Sequence, residues 1–82
     1  MDSYNDLGLS LQYLGRSAEA VAVLKEGIAR DRDYQRIHLT LGFVQLQRGN
    51  REAAVSALER AIELGPENNV GNAARRMLGQ AR

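Results

Sequence analysis

The sequence predicts an all-α protein built from antiparallel helical hairpins, and three observations support this fold class. The segment LGRSAEAV at residues 14–21 is followed thirty-four residues later by the similar segment RGNREAAV. Apolar residues recur at steps of three and four, which places them on one face of a helix. Nothing alternates between apolar and polar residues with a period of two, so no strand is predicted.

The internal repeat divides the chain into units of equal length. Between residues 1–34 and 35–68, seven positions are identical at an offset of 34 residues. These pairs are Leu7 and Leu41, Gly8 and Gly42, Gly15 and Gly49, Ala20 and Ala54, Val21 and Val55, Leu24 and Leu58, and Ile28 and Ile62. Self-similarity at a fixed period of this size indicates stacked supersecondary units. We therefore expect one domain, 1–82, formed by repeat 1 (1–34), repeat 2 (35–68) and a capping helix (69–82).

Repeat 1 contains two predicted helices, 3–14 and 18–30. The apolar stripe of the first helix is Tyr4, Leu7, Leu11 and Leu14. Gly15 ends this helix, because glycine adopts the left-handed conformation at little cost. The stripe of the second helix is Ala20, Val21, Leu24 and Ile28.

Repeat 2 contains the predicted helices 35–48 and 52–64, separated by Gly49. Asn50 is the predicted N-cap of the second of these helices, and Glu52 lies near its positive end. Pro66 follows that helix, where proline is common because it cannot continue a helix.

The last segment predicts a fifth helix over 70–81 with an apolar and a polar side. Its apolar stripe is Ala73, Ala74, Met77, Leu78 and Ala81. Arg75 and Arg76 stand where the repeats have Leu-Gly, and we expect them to face water. Repeat arrays need such a solvating helix at their ends.

Two glycines in the middle of predicted helices call for a compensating contact. Glycine at such a position costs about 1 kcal/mol relative to alanine. Gly8 and Gly42 occupy matched positions, so we expect each to permit a close approach between helices. The small residues Ala20 and Ala54 are the predicted partners.

These features resemble the tetratricopeptide repeat family, whose pattern combines a large aromatic, Leu-Gly, a second aromatic, Ala, a third aromatic and Pro. The matching residues are Tyr4, Leu7, Gly8, Ala20 and Leu24 in repeat 1, and Leu41, Gly42, Ala54, Leu58, Ala61 and Pro66 in repeat 2. The departures are Leu11 and Arg32 in repeat 1, and His38 and Gln45 in repeat 2. The resemblance covers residues 1 to about 68 and implies an α-α superhelix, a right-handed solenoid of five helices.

Composition and charge exclude several classes of protein. A net charge of +1 gives no reason to expect nucleic acid or an acidic membrane as a partner. No apolar run approaches the roughly 20 residues of a membrane helix. The chain has no cysteine, so disulfides and thiolate chemistry are excluded. Residues 1–8 lack the features of a signal peptide, so we expect a cytoplasmic protein if Met1 is the natural start.

The residues offer no catalytic or metal-binding constellation. His38 is the single histidine and occupies the position of a packing aromatic, so we expect it to pack. No second histidine and no cysteine could complete a metal site, and no serine has a histidine at a partnered position. The glycines are scattered singly, so no phosphate loop is predicted. We expect a protein that is not an enzyme and has no cofactor.

The resemblance implies a concave groove that binds a peptide or a helix of another protein. The groove residues that it implies are Asn5, Leu9, Gln12, Tyr13, Arg36, Leu39, Phe43, Leu46, Gln47, Val70 and Met77, together with Asp2 and Ala73. The chaperone-binding branch of the family holds a terminal carboxylate with lysine and asparagine. Asn5 matches that pattern but the lysines are missing, so an apolar or amphipathic segment is favoured. The alternative is that some of these residues belong to the core.

A second class of function stays open at this point. The chain could be a structural or self-associating module, or a docking segment of a larger protein. No solvating helix precedes the first predicted helix, so its face around Tyr4, Leu11 and Val23 is expected to be partly bare. A homodimer, a neighbour in a longer parent protein and a soluble monomer are the three outcomes.

Overall fold

In a computed structural model, the backbone of residues 2–81 and the side chains of residues 3–81 are described, and they form five α-helices. The helices are α1 (Asp2–Tyr13), α2 (Ser17–Arg30), α3 (Gln35–Gln47), α4 (Arg51–Leu64) and α5 (Asn69–Ala81). No strand occurs in this range. The all-α prediction is confirmed, and every helix end lies within one residue of its predicted position. No helix between residues 2 and 81 combines the length and apolarity needed to cross a membrane.

Glycines in the left-handed conformation end the first helix of each hairpin. Gly49 has a φ of 77°, and the Asn50 N–H donates to the Gln45 carbonyl at 2.9 Å. This bond spans six residues and closes a Schellman motif. The same motif closes α1 around Gly15, whose φ is 79°. The predicted helix ends at both glycines therefore have their expected physical cause.

The predicted side-chain cap of α4 is absent. Asn50 stands at the N-cap position, but its side chain makes no capping hydrogen bond. Its Nδ2 instead donates to Gln45 Oε1 at 3.2 Å. The Schellman motif commits the Asn50 backbone to the end of α3, and the side chain turns back in the same direction.

The five helices pack in two rows. Contacts join α1 to α3 and α3 to α5, whereas α2 packs on α1 and α3, and α4 packs on α3 and α5. Because the connections are short, consecutive helices are antiparallel. Helices α1, α3 and α5 therefore run parallel and side by side. One core cluster consists of Ala20, Val21, Leu24, Ile37, Leu41, Val44 and Ala57, and the other of Leu58, Ala61 and Ala74.

Gly42 permits the predicted close approach of α4, and the Leu58 side chain lies nearer to it than the predicted Ala54. A Cβ at Gly42 would lie 2.5 Å from Leu58 Cδ2, whereas the nearest Ala54 atom is its carbonyl oxygen at 3.5 Å. Helical side chains point toward the N-terminus of their helix, so Leu58 covers the surface one turn before its own Cα. The space left by the glycine is filled by this leucine, and Ala54 lies behind it, fully buried.

Gly8 repeats this arrangement in the first hairpin. A Cβ at Gly8 would lie 2.5 Å from Leu24 Cδ2, and no Ala20 atom is among its three nearest neighbours. The nearest neighbour of Gly8 is thus Leu24, one helical turn after the predicted Ala20, for the same reason.

A polar junction that sequence patterns did not predict fixes the position of α5. Gln35 Nε2 donates to the carbonyls of Ala61 at 2.8 Å and Gly65 at 3.0 Å, at the end of α4. Asn68 Nδ2 donates to Gln35 Oε1 at 2.8 Å. Asn68 Oδ1 accepts the Gly71 N–H at 2.8 Å and so caps α5. Three helix termini are held by two amide side chains.

Two leucines are exposed on the outer side of the first hairpin, one within α1 and one directly after its end. Leu7 is 50% exposed, whereas its repeat equivalent Leu41 is 9% exposed because α2 covers it. Leu14 is 71% exposed. The residues around which the face was expected to be partly bare are half-buried: Tyr4, Leu11 and Val23. Helix α2 covers Leu41, but no helix among the described residues covers Leu7 in the equivalent way.

Helix α5 has the two sides that its sequence predicts. Arg75 and Arg76 are exposed, and Ala74 and Ala81 are buried. Met77 packs against the cluster around Leu58. The helix begins at Asn69, thirty-four residues after the start of α3, so the repeat register continues into it.

Candidate functional site

The parallel helices α1, α3 and α5 form a groove that consists of two adjoining pockets. The α1–α3 pocket has a volume of about 270 Å³ and is lined by Asn5, Leu9, Tyr13, Arg36, Leu39, Thr40, Phe43 and Met77. The α3–α5 pocket has a volume of about 490 Å³ and is lined by Phe43, Leu46, Gln47, Ala73, Arg76, Met77 and Gln80. Phe43 and Met77 belong to both pockets, which makes the groove continuous.

The structure brings together most of the residues that were predicted to line a groove. Only Gln12 and Val70, of the eleven, line neither pocket. Gln12 turns toward α2, where its Oε1 accepts a hydrogen bond from Ser17 Oγ at 2.7 Å. Val70 is half-buried in the first turn of α5. The side chain of Asp2, which was also predicted here, lies outside the described residues.

The apolar floor of the groove is continuous with the core. Leu39 and Leu46 are half-buried and pack against the cluster around Leu58. Phe43 is half-buried and packs against the other cluster. Each of these side chains therefore packs against the core on one side and lines the groove on the other. Packing keeps the floor rigid, which lowers the entropy cost of binding.

Asn5 lines the α1–α3 pocket, and its side-chain oxygen is buried beneath the pocket surface without a partner. Its side chain is only 5% exposed, and its Oδ1 has no hydrogen-bond partner among the described residues. A buried polar atom without a partner costs about 1–3 kcal/mol.

Sequence patterns missed three lining residues, Thr40, Arg76 and Gln80. Thr40 is buried, and its Oγ1 donates to the Arg36 carbonyl at 3.2 Å. Arg76 was predicted to face water, and it is exposed but stands at the edge of the groove. The row formed by Ala73, Arg76 and Gln80 at helical spacing is the signal that would have found both α5 residues.

The described side chains form no metal-binding group. No group of three histidine, aspartate or glutamate residues lies close enough together in residues 3–81 to hold a metal ion. His38 is 7% exposed, and its Nε2 lies 2.8 Å from the Arg32 carbonyl. Because a carbonyl only accepts, Nε2 carries the proton of this hydrogen bond. His38 thus links α3 to the connection before it, as its packing role predicts.

The comparison with known proteins agrees with the helical hairpins and their period. The sequence profile described as Tetratricopeptide repeat matches residues 13–78. The chain belongs to the tetratricopeptide repeat family. Proteins of this family act through protein–protein interaction, so the groove of this tetratricopeptide repeat domain is its candidate binding surface.

Two curated relatives share this repeat region. The peroxisomal targeting signal receptor of Candida albicans is 38% identical over 65 residues, and that of Debaryomyces hansenii is 37% identical over 65 residues. The matched region is 78% of this chain and 11% of each relative. The chain thus spans about one ninth of the length of the curated relatives it matches.

Proposed function

We propose that this tetratricopeptide repeat domain is a non-catalytic interaction module that binds a peptide or an amphipathic helix of a partner protein. The observation that carries this proposal is the apolar floor between the three parallel helices, where Leu39, Phe43 and Met77 are half-buried and line the groove. Side chains of the partner would occupy the floor beside Phe43 and Met77.

The relatives support a segment-binding role in general terms. Both are named as receptors of a peroxisomal targeting signal. The match covers a small part of each relative, so the signal itself is not carried over to this chain. The groove chemistry favours an apolar or amphipathic segment.

The exposed pair Tyr13 and Leu14 allows a matched test of the groove. Tyr13 is 76% exposed and lines the α1–α3 pocket, whereas Leu14 is 71% exposed and lines neither pocket. We expect Tyr13→Ala to weaken a peptide selected from a random 12-residue display library by about tenfold, as loss of an aromatic interface residue does. Leu14→Ala should leave this affinity within about twofold.

The measurement is a fluorescence anisotropy titration of the selected peptide, with thermal melting to show that both variants stay folded. Equal affinities of the two variants would show that the peptide binds elsewhere. A second peptide, which ends in several acidic residues and has no apolar side chain, should leave the amide resonances of Leu39, Phe43 and Leu46 unmoved. Micromolar binding of that peptide at these residues would refute the preference for an apolar segment.

A second candidate function, self-association, is favoured by the bare face of α1. We propose that a second copy of the chain covers Leu7 and Leu14. Sedimentation velocity over a concentration series should then show a dimer, and a Leu7→Gln, Leu14→Gln double variant should be monomeric. Tyr13→Ala is the control and should still dimerise. If the unsubstituted protein stays monomeric at millimolar concentration, self-association is excluded. The proposal that the groove binds a partner segment is not affected by that result.

A further inference from the structure

We propose that the partner segment carries acidic side chains on both sides of an apolar centre, one paired with Arg36 and the other with Arg76. This inference rests on the proposed function, since it names the chemistry of the segment that the groove binds. Three features of the groove lead to it: its charge, the positions of the two arginines and the residues between them.

The charged residues that line the groove are all positive. The residues that line the two pockets include Arg36 and Arg76 and no acidic residue. The three ion pairs among the described side chains involve only Arg16 and Arg60 as cations. Within residues 3–81, both groove arginines therefore lack an acidic partner, although they flank an apolar floor. A bound segment with carboxylates would complement this charge.

The two arginines lie too far apart for one carboxylate to pair with both. Arg36 is the second residue of α3, and Arg76 is the eighth residue of the parallel helix α5. The six-residue difference amounts to about 9 Å along the helix axes, and neighbouring helices lie about 8–10 Å apart. The combined separation is on the order of 13 Å, which an extended segment spans in about four residues. Two acidic side chains therefore fit better than a single terminal carboxylate.

The residues between the arginines define the centre of the segment. Phe43 and Met77 line both pockets, so they lie where the two pockets meet. Apolar side chains of the segment would pack there. The order along the segment is acidic, apolar, acidic.

Exposed charge pairs of this kind contribute modestly to affinity. Each is expected to change the affinity about two- to fivefold. Their larger effect is on specificity and on the dependence of binding on salt, because both arginines stay near solvent.

Selection from a peptide library tests the inference directly. Random 12-residue peptides, displayed with neither end free, are selected on the parent protein and on Arg36→Gln, Arg76→Gln and Arg75→Gln. Arg75 is the matched control, because it is exposed beside Arg76 and lines neither pocket. We expect the parent and Arg75→Gln to select apolar residues with Asp or Glu on both sides. Each groove variant should lose the acidic preference on one side.

Synthetic versions of the selected peptides give the quantitative readout. Arg36→Gln and Arg76→Gln should each weaken binding two- to fivefold and reduce its salt dependence, and Arg75→Gln should do neither. Apolar peptides without acidic flanks, or acidic flanks that persist in both groove variants, would overturn the inference and leave the proposed function intact. A library that yields no binder sensitive to Tyr13→Ala would contradict the proposed function, and this inference with it.

Discussion

Replacing Gly42 with leucine should destabilise the protein by about 3 kcal/mol, which is the upper part of the range for overpacked cores. A Cβ at this position would lie 2.5 Å from Leu58 Cδ2 and 2.6 Å from Leu58 Cγ. Leu58 is fully buried, and α3 is packed against all four other helices, so neither can move aside. A domain of this size has a total stability of about 4–12 kcal/mol. The melting temperature should therefore fall by roughly 12–24 °C.

Two further variants show whether the close contact is the cause. Gly8→Leu meets Leu24 at the same distance, 2.5 Å, but α1 packs only on α2 and α3 and has more room to shift. Its cost should be smaller than that of Gly42→Leu. Adding Leu58→Ala to Gly42→Leu should cost less than the sum of the two single changes, because the new side chain fills the space that Leu58 leaves. If the costs of Gly42→Leu and Leu58→Ala simply add in the double variant, the contact between Gly42 and Leu58 is not the cause. A Gly42→Leu variant that melts like the unsubstituted protein would lead to the same conclusion.

Replacing Gly71 with alanine should detach α5 from the rest of the protein. A Cβ on Gly71 would overlap the carbonyl oxygen of Gly65, which is backbone and cannot rotate away. Helix α5 covers Leu58 and Ala61 through Ala74, so its loss exposes one of the two core clusters. We expect a destabilisation of about 3 kcal/mol, although alanine would otherwise favour the helix by about 1 kcal/mol.

The control for this variant is another glycine in the same helix. Gly79 is exposed and a Cβ there would have no neighbour within 4 Å. Gly79→Ala should therefore stabilise the protein by a few tenths to about 1 kcal/mol, opposite in sign to Gly71→Ala. Hydrogen exchange is the second measurement, and the α5 amides of Gly71→Ala should lose protection before those of α3. Equal effects of the two changes would show that α5 is not held at Gly71.

Both variants bear on the groove as well as on stability. Ala73, Arg76 and Met77 reach the groove only while α5 is docked. Gly71→Ala should therefore weaken any ligand of the α3–α5 pocket, whereas Gly79→Ala should not.

The sequence by itself determined the helices and the family. Apolar spacing fixed five helices to within one residue, and the glycines at 15 and 49 ended α1 and α3 through the left-handed conformation. These signals are local, because helix periodicity and φ preference belong to short stretches of chain. The 34-residue period added the hairpin arrangement, and the family resemblance implied most of the groove residues. The family match to residues 13–78 agrees with that interpretation.

Tertiary structure alone decided which side chains meet. Gly42 faces Leu58 rather than Ala54 because side-chain direction shifts a contact by one helical turn. Asn68 caps α5 together with Gln35, which is far away in sequence and leaves no local pattern. Leu7 and Leu41 are identical in the repeat, yet one is half-exposed and the other buried, since a residue's burial depends on its neighbours in space. The unsatisfied oxygen of Asn5 and the position of Arg76 at the groove follow from the same cause: helices distant in sequence set the surroundings of each side chain.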